Sequence, residues 1–86
     1  MNVKNKLKIT DAHSIEWGNA TWNNNEKSIR NRYDNIQTNK FNKSGSSEIP
    51  WNDFKEMIQE SIKQDEFNNS ELSEILNQIS NKLKTL

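Results

Sequence analysis

The chain is predicted to be mainly α: a small single domain, residues 1–86, closed by a C-terminal antiparallel helical hairpin. Three observations predict it. Trp51, Phe54, Met57, Ile58 and Ile62 recur at the three-and-four spacing of one helical face, and Leu72, Ile75, Leu76, Ile79 and Leu83 repeat that spacing further on. Between them Phe67, Asn68, Asn69 and Ser70 interrupt the pattern with turn-forming residues, a connection short enough to fold two helices back on each other. The charges follow the expected polarity, with Asp53, Glu56, Glu71 and Glu74 early in the two stretches and Lys63, Lys82 and Lys84 late, opposite in sign to the partial charges at the helix ends.

Residues 1–22 form an N-terminal arm or strands. Val3, Leu7 and Ile9 alternate loosely with lysines and asparagines, as in a short edge strand whose lysines discourage pairing with other chains. From Thr10 to Trp22 two readings stand. One is a short helix capped by Thr10 or Asp11; the other is a small hairpin turning at Gly18 and Asn19 between strands that hold Ile15, Trp17 and Trp22.

A shorter helix is expected over residues 24–34. Asn23 and Glu26 have the separation of a capping box, and Ile29, Tyr33 and Ile36 fall on one face. Residues 35–47 have only Ile36 and Phe41 to bury among Asn, Lys, Ser and Gly, and form a loop, either functional or disordered. The first hairpin helix spans 48–66, with Pro50 at its first position, where a fixed φ and a missing N–H do no harm. The second spans 70–84, capped by Asn69 or Ser70.

Composition narrows the function. Only 30% of the residues are apolar, so three tryptophans and three phenylalanines carry much of the core, each burying roughly 150–250 Å² when enclosed. There is no cysteine, which removes disulfides, thiol chemistry and the strongest zinc sites. No apolar run reaches membrane-spanning length and the N-terminus lacks the apolar core of a secretion signal, so a cytoplasmic location and no membrane partner are expected. Net charge is zero but segregated: residues 1–43 hold eight Lys or Arg against four Asp or Glu, and residues 44–86 hold four against eight.

Three groups of residues invite a chemical reading. Arg30, Arg32, Lys40 and Lys43 precede a turn of Ser44, Gly45, Ser46 and Ser47 that leads into a helix. Hydroxyls, turn N–H groups and guanidinium forks of this kind can hold an anion, and Arg30, Arg32, Lys43, Ser44, Ser46 and Ser47 are the candidate anion-binding set. Glu48 opposes an anion there, and neither a Walker pattern nor a GxGxxG loop is present. Asp11, His13 and Glu16 lie close in sequence but lack the spacing of a metal or catalytic motif, and no catalytic residue, metal site or cofactor is assigned. The aromatic residues are core, except that Trp51 and Trp22 also suit an interface.

With no nucleophile beside a base and no cofactor motif, the expected function is non-enzymatic protein binding. The chain reads as an inhibitor or regulator, of phage type in its size and charge, of a nucleic-acid-handling protein. It would face a basic partner surface with Trp51, Asp53, Glu56, Glu60, Glu71 and Glu74. The alternative is a nucleic-acid or nucleotide binder using Arg30, Arg32, Lys40, Lys43 and the Ser-Gly turn, and a homo-oligomer joined through its tryptophans is a third possibility.

Overall fold

Half of the regular structure in the computed structural model, which describes all 86 residues, is β-sheet. Strands β1 (Asn2–Thr10), β2 (His13–Asn19), β3 (Lys27–Tyr33) and β4 (Glu48–Pro50) are followed by helices α1 (Trp51–Lys63) and α2 (Asn69–Leu83). The strands form one antiparallel sheet in the order β1-β2-β3-β4. The fold is α+β, and the mainly α expectation is corrected on that ground. Two compact units divide the chain, Met1–Lys55 and Glu56–Leu86, with α1 running across the boundary.

In the first unit, β1 and β2 form a hairpin that turns at Asp11 and Ala12, where Lys8 Nζ lies 2.8 Å from Asp11 Oδ1. This is not the hairpin expected at Gly18 and Asn19: β2 carries Ile15 and Trp17 but pairs back on β1, and Trp22 belongs to no strand. Gly18 sits inside β2 opposite Val3, where a Cβ would lie 2.0 Å from the Asn2 carbonyl oxygen, so close strand approach is what requires glycine there.

The helix expected over 24–34 is instead a turn followed by β3. Ala20 N–H donates to Glu26 O and Glu26 N–H to Asn23 O, closing the connection from β2, and β3 then pairs with β2 along its whole length. Ile29 and Tyr33, four residues apart, satisfy a helical face and a strand face equally, because four is a multiple of the strand period. Sheet pairing with β2 on one side and β4 on the other decides between them.

The sheet's two faces are unlike. One carries Leu7, Ile15, Trp17, Ile29 and Ile49, aligned across the strands by the register Leu7–Ile15, Trp17–Ile29 and Ile29–Ile49. The other is polar yet better buried. Ser14, Glu16 and Gly18 of β2 are buried, as are Ala20 just past its end and Ser28 and Arg30 of β3. Ala20 and Ile29 are the only buried hydrophobic residues, and the most fully enclosed side chains are Glu16 and Ser28. Residues 35–47 fold back beside the end of β3. Asp34 bridges Phe41, Asn42 N–H donates to Tyr33 O, and the buried Ser46 hydroxyl accepts from Tyr33 N–H at 2.8 Å.

Both helices exist close to their expected limits, but the hairpin packing does not. No residue of either helix is buried, Ile58, Leu72 and Ile75 are only half-buried, and the helices do not pack along their length. In the second unit Met57, Leu76, Ile79 and Leu83 are each more than half exposed. The α1 segment begins after Pro50, which closes β4 instead of opening the helix. The cap of α2 is Asn68, whose side chain accepts from Glu71 N–H at 2.8 Å while the Glu71 carboxylate accepts from Asn68 N–H at 2.9 Å, a reciprocal capping box.

Candidate functional site

On the polar face of the sheet, register places Lys6 opposite Glu16, Glu16 opposite Arg30 and Arg30 opposite Glu48, a row of alternating charge across all four strands. Glu16 is 2% exposed, and its Oε1 accepts from Arg30 Nε at 3.0 Å and from Arg30 Nη2 at 2.7 Å. Arg32 Nη1 stands 3.5 Å from Glu16 Oε2, and its Nε donates to Asp34 Oδ1 at 3.0 Å. The Phe41 ring lies over both guanidinium groups, 4.7 Å from Arg30 Cζ and 4.5 Å from Arg32 Cζ. The ring thus shields the ion pairs from water and adds cation–π attraction.

Glu48 closes the row. Its carboxylate accepts from Thr21 N–H and from Ser28 Oγ, each at 3.0 Å, and from the Thr21 hydroxyl. Burial pushes this carboxyl up, but the hydrogen bonds from Thr21 and Ser28 and the nearby N-terminal ammonium outweigh burial and hold it below the usual range. A groove of about 810 Å³ runs beside it, lined among others by Trp22, Phe41, Lys43, Ser47 and Glu48.

This geometry separates the residues of the expected anion site. Arg30 and Arg32 face Glu16 and Asp34, and Ser46 is buried against the backbone of Tyr33. Ser44 donates to the Asn42 side chain, and Lys43 and Ser47 are exposed at the groove. The strongest donors of the set therefore serve the fold. Asp11, His13 and Glu16 likewise point to three different partners. Asp11 meets Lys8, His13 stacks on Tyr33 with ring centroids 4.5 Å apart, and Glu16 is on the opposite face of β2 from His13. No group of three His, Cys, Asp or Glu side chains is placed to hold a metal ion, and no helix is long and apolar enough to cross a membrane.

The expected protein-binding residues divide between the units. Trp51 and Asp53 belong to the first. Trp51 is half-buried, with Lys27 Nζ 4.0 Å above its ring and Phe54 tilted against it at 5.2 Å. Glu56, Glu60, Glu71 and Glu74 belong to the second and are all exposed, as are Asp65 and Glu66. The charge asymmetry of the sequence follows the same boundary. The first unit holds nine Lys or Arg against six Asp or Glu, and the second three against six.

Pairing differs as sharply as number. Asp11, Glu16, Asp34 and Glu48 of the first unit each meet a cationic group within 4.0 Å, whereas no carboxylate of the second unit does. The buried Glu16–Arg30 pair escaped the reading of the sequence. A period-two alternation of Ser14, Glu16, Gly18 with Ile15, Trp17 was present, but its buried side is the polar one. No protein family, curated protein or solved structure matches this chain.

Proposed function

We propose that this chain is a non-enzymatic protein-binding module that engages a partner with a basic surface through its helical unit. On this reading it is an inhibitor or regulator of a nucleic-acid-handling protein. One observation carries the reading: six exposed carboxylates, Glu56, Glu60, Asp65, Glu66, Glu71 and Glu74, have no cationic partner, although the same chain pairs four carboxylates in its sheet unit. An unpaired acidic surface steers encounter with a cationic one and selects against other acidic surfaces. A protein that handles nucleic acid presents such a cationic surface to phosphate.

The test compares capture of host proteins by the full chain and by a Glu56→Lys, Glu60→Lys, Glu74→Lys variant at two salt concentrations. The reading expects a nucleic-acid-binding protein to be captured by the parent chain, less at high salt, and lost from the variant. Capture that the variant retains overturns it. So does salt-sensitive binding of single-stranded DNA or RNA by the isolated chain, because that places the cationic sheet unit at the interface.

A further inference from the structure

Along α2, Leu72, Leu76, Ile79 and Leu83 are separated by alternating steps of four and three, and Leu86 continues the series just past the helix. Those steps supply the seam positions of a coiled coil, and Ile75 widens the apolar stripe on one side. Leu72 is half-buried, whereas Leu76, Ile79, Leu83 and Leu86 are 64%, 51%, 61% and 92% exposed, so the seam from Leu76 onward faces solvent.

We propose that this seam is covered by α2 of a second copy, packed antiparallel. The flanks of the seam choose the occupant. At 3.6 residues per turn, Glu71, Ile75 and Lys82 share one flank, while Ser73 and Ser80 share the other. Two helices packed antiparallel set like flank against like flank. Aligning Leu72 with the second copy's Leu83, and Leu76 with its Ile79, gives four apolar layers and brings Glu71 of each copy to Lys82 of the other, twice by symmetry. The opposite flank then joins small serines, which allow close approach. Parallel packing would instead face Glu71 and Lys82 with serines, leaving both charges unmatched.

Each half of the charge pair is free to serve. Lys82 makes no ion pair, and Glu71 uses only Oε1 in its capping box, leaving Oε2. Glu74 lies on the side of α2 away from the seam and stays outward in the pair. The inference does not rest on the basic-partner reading, since substitutions at Glu56 and Glu60 probe that reading without touching the seam.

Sedimentation equilibrium of the full chain across a wide concentration range is the test. The expected result is a reversible monomer–dimer equilibrium that Ile79→Lys abolishes while circular dichroism still shows the folded chain. Lys82→Glu should weaken dimerisation about tenfold by setting like charges together, and added salt should recover much of the loss. An equimolar mixture of Lys82→Glu and Glu71→Lys chains should dimerise more tightly than either alone, because only the mixed antiparallel pair matches both charges. Monomeric mass at every concentration overturns the proposal. Association untouched by Ile79→Lys does so too, and so does a Lys82→Glu chain that dimerises as tightly as the parent.

Discussion

At the scale of single residues, Glu16 and Arg30 determine how the sheet unit holds together. The pair is buried on the face that Phe41 covers, with Arg30 the direct partner of Glu16 and Arg32 standing between Glu16 and Asp34. Removing one partner strands the other in a low-dielectric site, so Glu16→Ala should lower unfolding free energy by about 3–5 kcal/mol in urea denaturation. Replacing both, Glu16→Leu with Arg30→Met, should recover most of that loss, because apolar packing avoids the desolvation that the ion pair must overcome. Glu48 adds a pH dependence whose sign is fixed by its depressed pKa. The unfolded carboxyl titrates in the ordinary range near 4.5 and the folded one below it, so the contribution is complete above the unfolded value and vanishes as pH falls through the folded one. Glu48→Gln should therefore flatten the acid limb of the stability–pH curve, measured by thermal melts from neutral to strongly acid pH, and leave the slope on the alkaline side unchanged.

At the scale of elements, the two helices were legible, β1 and β2 were each one of two readings, and β3 and β4 were read as helix. Helical spacing in α1 and α2 is unambiguous over 13 and 15 residues, and the structure keeps both. Ile29 and Tyr33 of β3 lie four apart, which suits either period, while the residue between them on the same face, Asn31, is polar. β2 hides its buried side in Glu16 and two small residues, and β4 has only three residues. What no helix spacing could supply was the partner: two apolar stripes in succession implied a packed hairpin, whereas neither helix buries a residue. The acidic residues of the expected binding surface were legible because exposure is the ordinary state of Glu and Asp; that Arg30 and Arg32 were taken up by Glu16 and Asp34 depends on pairing across strands. With so little burial to hold it, α2 relies on local interactions, and its capping box is the strongest of them. Asn68→Ala should cost about 1 kcal/mol and reduce helical ellipticity at 222 nm, with the loss confined to α2 when followed by amide chemical shifts.

At the scale of the whole molecule, two units of opposite net charge are stabilised by different means. The sheet unit has cross-strand hydrogen bonds, enclosed ion pairs and its few buried side chains; the helical unit has intrahelical bonds and a cap, with Ile58, Phe67, Leu72 and Ile75 only half-buried and its other apolar side chains facing solvent. Amide hydrogen exchange should read that contrast directly, because exchange free energies rise from nearly zero for loosely held segments to the global value for the most enclosed ones. Amides of β2 and β3 that pair with each other should exchange most slowly, those of α2 at least tenfold faster, and the C-terminal turn fastest in dilute solution. Concentration then becomes an informative variable. Covering the seam on Leu76, Ile79 and Leu83 protects α2 by mass action, so its exchange should slow as protein concentration rises while that of β2 and β3 stays constant. Equal protection of α2 and the central strands at the lowest concentration would mean that the helical unit is stabilised within one chain, against the exposure described for it. A uniform response to concentration across both units would place the association elsewhere than on α2.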